Sequence, residues 1–215
     1  MKIFLDTADT SIITKHFATG LIDGITTNPT LIKKSGRDPL EVYQELKDLG
    51  IKDISMEVVG DADEMIKEGK GLYDTFGDCC TVKVPCSPDG LRACKELSDL
   101  NIRVNVTLIF SQVQAILASK AGATYVSPFV GRVDDNSFGG ICLVKDIVNV
   151  FKEHYTTTNV LAASIRNVRD VGRLFEHGAE IVTMPPAVFE KMYNHILTDK
   201  GLELFQADWE SVHNT

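Results

Sequence analysis

Lys83 sits in the run Thr81-Val82-Lys83-Val84-Pro85, a cation where an apolar strand is expected. Alternation along a strand sends Val82 and Val84 to one face and Lys83 to the other. Burial strips water from the ammonium and lowers its pKa, and the neutral amine is a nucleophile able to condense with a ketone as a Schiff base. The competing reading is a structural ion pair between Lys83 and Asp6 or Glu57, because buried lysines are usually paired. Asp6 closes the run Lys2-Ile3-Phe4-Leu5-Asp6, and Glu57 interrupts Ile54-Ser55-Met56-Glu57-Val58-Val59. Beside a cationic lysine either carboxylate stays ionised and can take a proton from a substrate hydroxyl or a water. Asp6 could equally cap the helix that begins near Asp9. Arg132, Arg166 and Ser164 form a possible anion clamp, since guanidinium groups hold phosphate bidentately. Each arginine taken alone reads as a solvated surface charge.

Short β-branched runs that alternate with longer amphipathic stretches must position these groups. Strands are predicted at 2–6, 24–27, 54–58, 81–84, 102–107, 125–129, 159–163 and 180–183. Helical spacing appears at 38–49 (Leu40, Val42, Tyr43, Leu46, Leu49) and at 111–121 (Val113, Ile116, Leu117, Ala121), with a tail helix from 199 to about 212. Asp9, Asp38, Ser87 and Ser111 occupy N-cap positions, and Gly50, Gly122 and Gly178 follow helix ends. Eight βα units in succession predict an α/β fold, a (βα)8 TIM barrel with an extra C-terminal helix, as a single domain over 1–215. A doubly wound open sheet is the second choice. In such a barrel the site lies at the carboxyl ends of the strands. Asp6, Asn28, Glu57, Lys83, Asn105 with Thr107, Ser127, and Ser164 with Arg166 bring seven of the eight strands to that end with a polar residue.

The 215 residues carry 22 Lys+Arg against 30 Asp+Glu, a net charge of −8, which argues against a nucleic-acid or anionic-membrane partner. Asp6 cuts the first apolar run before a signal sequence develops, and no run approaches the ~18 apolar residues of a membrane span. The expectation is a cytoplasmic protein. Five cysteines without a CxxC pair and five scattered histidines predict neither a disulfide scaffold nor a metal site. Without GxGxxG or GxxxxGK[ST], the chemistry is expected to need no cofactor.

The stretches Phe4-Leu5-Asp6-Thr7-Ala8, Gly24-Ile25-Thr26-Thr27-Asn28-Pro29-Thr30, Val82-Lys83-Val84-Pro85, Asn105-Val106-Thr107-Leu108, Tyr125-Val126-Ser127-Pro128-Phe129-Val130-Gly131-Arg132 and Ala162-Ala163-Ser164-Ile165-Arg166 carry a resemblance over nearly the whole chain. The sequence resembles the transaldolase family, and within it the short subfamily that includes the fructose-6-phosphate aldolases. The resemblance implies that Lys83 forms the Schiff base and that Asp6 is the acid/base for the sugar hydroxyl. It implies that Glu57 with Thr107 handles the catalytic water, and that Asn28, Asn105 and Ser127 orient the dihydroxyacetone moiety. Arg132, Ser164 and Arg166 are then the phosphate site. Fructose-6-phosphate aldolases carry Gln and Tyr where this chain has Glu57 and Phe129, and they lack the asparagine found here as Asn105. These positions imply transfer of dihydroxyacetone from sedoheptulose 7-phosphate or fructose 6-phosphate to an aldose phosphate, in the non-oxidative pentose phosphate route, rather than its release. The resemblance also implies a homo-oligomer, a pentamer or decamer joined through the apolar tail helix (Leu202, Leu204, Phe205, Trp209). A barrel with a vestigial site that only binds sugar phosphates is the non-enzymatic alternative.

Overall fold

A computed structural model describes residues 1–213; the last two residues of the expected 1–215 domain lie outside it. The first half of the chain runs β1 (Lys2–Asp6), α1 (Thr10–Phe17), β2 (Gly24–Thr26), α2 (Pro29–Ser35), α3 (Pro39–Asp48), β3 (Ile54–Glu57), α4 (Ala62–Phe76), β4 (Cys80–Pro85) and α5 (Pro88–Asp99). The second half runs β5 (Val104–Ile109), α6 (Gln112–Lys120), β6 (Tyr125–Pro128), α7 (Val130–Asp135), α8 (Gly140–Glu153), β7 (Asn159–Ala162), α9 (Val168–Glu176), β8 (Ile181–Met184), α10 (Pro186–Lys191) and α11 (Ile196–His213). All eight strands are parallel, and β8 pairs with β1 to close a (βα)8 barrel. The tail helix, α11, begins earlier than position 199 and buries none of its residues.

Local chemistry sets the helix ends. Asp9, Asp38, Ser87 and Ser111 each accept backbone N–H bonds as N-caps of α1, α3, α5 and α6, interactions worth about 1 kcal/mol apiece. Gly50, Gly122 and Gly178 take positive φ after their helices, where a side chain would be strained.

Two apolar layers follow from strand alternation. Leu5, Ile25, Met56, Val82, Val106 and Val182 point outward into the continuous core beneath the helices. Inside the barrel, Phe4, Tyr125, Leu161 and Ile181 form a separate plug toward the amino ends of the strands. Gly24 makes room for it, because a Cβ there would lie 2.6 Å from the Phe4 ring. Below the plug sits Asp53, 4% exposed. Its carboxylate accepts from Thr81 Oγ1 (2.8 Å), Arg103 Nη1 (2.7 Å) and the Tyr125 hydroxyl (2.7 Å), which ties β3, β4, β5 and β6 at that end. A buried carboxylate is tolerated because every partner is in place. The plug and this network close the lower end, leaving the carboxyl ends for the site.

Candidate active site

Lys83 is 5% exposed and projects into the barrel between outward-facing Val82 and Val84. Register places Glu57, Lys83 and Asn105 side by side on β3, β4 and β5. Lys83 Nζ lies 2.9 Å from Glu57 Oε2 and donates to the Thr27 carbonyl at 2.9 Å. Of the two carboxylates open to the sequence as partners of Lys83, the structure places Glu57 rather than Asp6 beside the amine. An amine and a carboxylate at that distance can exchange a proton directly.

Asp6 lies across the barrel. Asp9 caps α1 with its own carboxylate, so Asp6 is left to the interior. Thr26 Oγ1 donates to Asp6 Oδ1 at 2.8 Å and lies 2.7 Å from Thr183 Oγ1. A hydroxyl has one hydrogen, so the relay runs Thr183 to Thr26 to Asp6. Protein atoms surround Asp6 although part of it opens to the cleft. This desolvation raises its pKa, against the pull of the Lys83 charge and the Thr26 hydrogen bond. Thr183 also gives β8 the polar end residue that the sequence reading withheld from it, so all eight strands contribute.

A second hydrogen-bonded chain runs through Asn105. Ser127 Oγ donates to Asn105 Oδ1 at 2.7 Å, and Asn105 Nδ2 donates to Ser55 Oγ at 3.2 Å. Asn105 is fully buried and does not reach the cleft wall, unlike Ser127 above it. Thr107 does reach the wall, and its 1% exposed side chain leaves Oγ1 without a protein partner. A buried hydroxyl without a partner is costly unless a water or ligand meets it.

Two adjoining chambers result. The outer, of about 340 Å³, is walled by Asn28, Pro29, Leu31, Glu57, Leu108 and neighbours. The inner, of about 120 Å³, is walled by Asp6, Thr26, Ser127, Ser164 and Thr183 among others. Lys83, Asn28, Thr107, Phe129 and Arg132 border both. Asn28 Oδ1 caps α2 by accepting from Leu31 N at 3.0 Å, so its amide N–H groups are what it can offer a ligand. The Arg132 guanidinium stacks 4.7 Å from the Phe129 ring centroid and 6.0 Å from that of Phe110. Phe110 was not among the residues singled out from sequence; an aromatic after a strand reads as packing until its neighbours are known.

Arg166 departs from the expected clamp. It forms a two-pronged ion pair with Asp135, is 54% exposed and borders neither chamber. Its path crosses Gly131, where a Cβ would lie 2.7 Å from Arg166 Nε and 2.4 Å from the Ser164 carbonyl. The start of α7 is joined there to the segment after β7 by Gly131 N–H donating to Ser164 O at 2.9 Å. Arg132 and Ser164 face the chambers, whereas Arg166 stands outside, held by a carboxylate that sequence spacing did not reveal.

A closed parallel barrel with a buried lysine–carboxylate pair and a facing acid at the carboxyl ends of its strands defines the class, a (βα)8 barrel with a polar cleft where such barrels carry their sites. Comparison with known proteins then narrows the class. The family described as Transaldolase/Fructose-6-phosphate aldolase matches residues 3–215. Proteins called probable transaldolase are similar over almost their full lengths. One from Cereibacter sphaeroides is 50% identical over 100% of this chain and 98% of its own. That from Caulobacter vibrioides is 51% identical over 99% and 98%, and that from Paracoccus denitrificans 51% over 97% and 96%. The chain belongs to the transaldolase/fructose-6-phosphate aldolase family.

Proposed function

We propose that this protein is a transaldolase that moves a dihydroxyacetone unit from sedoheptulose 7-phosphate or fructose 6-phosphate to erythrose 4-phosphate or glyceraldehyde 3-phosphate. The observation that carries this reading is the Lys83–Glu57 pair at 2.9 Å, on a wall shared by both chambers. Lys83 passes a proton to Glu57, and the free amine adds to the ketose carbonyl. Glu57, with a water held on the open Thr107 hydroxyl, returns a proton as the carbinolamine loses water to give the iminium. Asp6 then takes the proton of the C4 hydroxyl. The C3–C4 bond breaks, its electrons flow to the iminium, the aldose leaves and an enamine remains on Lys83. An incoming aldehyde reverses these steps. Asn28 and Ser127 orient the three-carbon unit, Asn105 holds Ser127, and Arg132 and Ser164 take the phosphate with Arg166 at the rim. No metal or cofactor is required. Sugar phosphates are the partners, nucleic acid is not, and among the described residues no helix is long and apolar enough to cross a membrane.

The deciding test is a side-by-side rate measurement. Transfer to erythrose 4-phosphate should far exceed liberation of dihydroxyacetone, with Phe129 offering no phenolic proton to the enamine. Predominant liberation would make the protein an aldolase, and neither product would make it a binding protein. Arg132→Ala should raise KM for phosphorylated ketoses by about 10- to 100-fold, the worth of a charged hydrogen bond, with little change for unphosphorylated ones. Equal changes for both would remove Arg132 from the phosphate site.

Asp6 acts as a base only when ionised, so its raised pKa places the acid limb of kcat/KM above the ordinary carboxylate range. Thr26→Val removes a hydrogen bond to the charged form, which raises that pKa further. The limb should therefore move to higher pH, and a profile that stays put or moves the other way rejects Asp6 as the base.

Further elements of the proposal are a cytoplasmic location and a pentamer or decamer. The exposed Leu202, Phe205 and Trp209 of α11 are apolar side chains that a neighbouring copy would cover.

A further inference from the structure

Leu108 belongs to neither apolar cluster of the described residues, yet it holds a backbone conformation that a leucine avoids. Its φ is 59°, and among the described non-glycine residues with positive φ it alone lies inside a strand. Bulky L-residues are rare there because Cβ crowds the backbone.

The cause is a register shift. Val106 pairs with Val126, but Ile109 pairs with Pro128, so β5 carries one extra residue against β6. A bulge of this kind re-aims side chains. Thr107 borders both chambers, and its immediate neighbour Leu108 borders the outer one as well. Ile109 then resumes its place in the outward core. Strict alternation would have sent Leu108 away from the site. Instead a half-buried aliphatic side chain joins Pro29, Leu31 and Phe129 on the wall that also holds Lys83 and Glu57.

We infer that Leu108 is a specificity-determining residue whose side chain keeps water from the lysine-bound enamine; the inference rests on the transfer reading above. Two fates compete for that enamine. In transfer, its carbon attacks the acceptor aldehyde. In release, the same carbon takes a proton from water, and a second water adds to the imine carbon. The C–N bond then breaks to give free dihydroxyacetone and the Lys83 amine. Both fates end with water adding to the imine carbon, but only release needs a proton from water on the enamine carbon, and an aliphatic wall in the chamber that holds Lys83 disfavours that protonation.

The test compares wild type with Leu108→Ala and Leu108→Gly, using fructose 6-phosphate with and without erythrose 4-phosphate. Leu108→Ala shortens the wall, and Leu108→Gly does so while suiting the positive φ, which keeps one variant readable should the other lose its fold. The ratio of release to transfer should rise by about tenfold, the discrimination one aliphatic contact commonly carries. A folded variant with the wild-type ratio, or with both rates reduced in proportion, overturns the inference. Borohydride trapping of the wild-type adduct on Lys83 runs alongside. Trapping with an unchanged ratio defeats the role of Leu108 alone, whereas absence of trapping defeats the Schiff-base reading and this inference with it.

Discussion

Lys83→Ala should reduce dihydroxyacetone transfer by ~10³-fold or more while the protein stays folded, because no other amine replaces the nucleophile. Nζ lies 2.9 Å from Glu57 and is nearly inaccessible, so only a molecule inside the chambers meets it. Loss of a nucleophile lowers kcat, whereas loss of a binding charge shows first in KM. Borohydride reduction in the presence of fructose 6-phosphate should add the mass of the reduced ketose to the peptide containing Lys83. No such peptide should appear from the variant. Retained turnover in Lys83→Ala would exclude the Schiff-base route. Removing the lysine also leaves Glu57 in the cleft without its cation, so thermal unfolding of the variant should be recorded in the same preparation. A folded, inactive protein is the expected result.

The second large effect lies at the opposite end of the barrel and concerns stability. Asp53→Ala leaves the Arg103 guanidinium, the Tyr125 hydroxyl and the Thr81 hydroxyl without their shared acceptor. Breaking a buried ion pair by deleting one partner costs about 3–5 kcal/mol. For a chain of this size that is a fall of roughly 6–20 °C in Tm. Asp53→Asn keeps an acceptor oxygen for two of the three donors and should fall less. If Asp53→Ala unfolds within ~2 °C of wild type, the network is dispensable and the apolar plug alone seals the lower end. Asp53 lies far down the strands from Lys83, so trapping by borohydride should survive in whatever fraction remains folded.

Much of this arrangement is written locally in the sequence. Strand alternation alone turns Lys83 inward, since Val82 and Val84 must reach the helix layer. Caps at Asp9, Asp38, Ser87 and Ser111 and glycines after helices are short-range signals, and the βα rhythm with the family motifs is enough for the closed barrel. The strand ends were less legible. β5 runs to Ile109, two residues past the predicted end, because the bulge that bends it depends on pairing with β6.

What tertiary structure decided is who meets whom. Asp6 and Glu57 were equal candidates to pair with Lys83 until barrel register set Glu57 beside it and placed Asp6 across the cleft with Thr26 and Thr183. Arg166 reads as a partner of Arg132 in sequence, but Asp135 of α7 pairs with it where the segment after β7 crosses Gly131. Asp53 and Arg103 lie 50 residues apart along the chain, and the pairing of β3 and β5 with β4 brings them together. Nothing along the chain sets Leu108 apart, because the bulge that turns it to the site exists only in the pairing of β5 with β6. Alternation and capping act over a few residues and can be read along the chain. Register around a closed sheet is a long-range property in which one extra residue re-aims the side chains around it, so it becomes visible only in the folded protein.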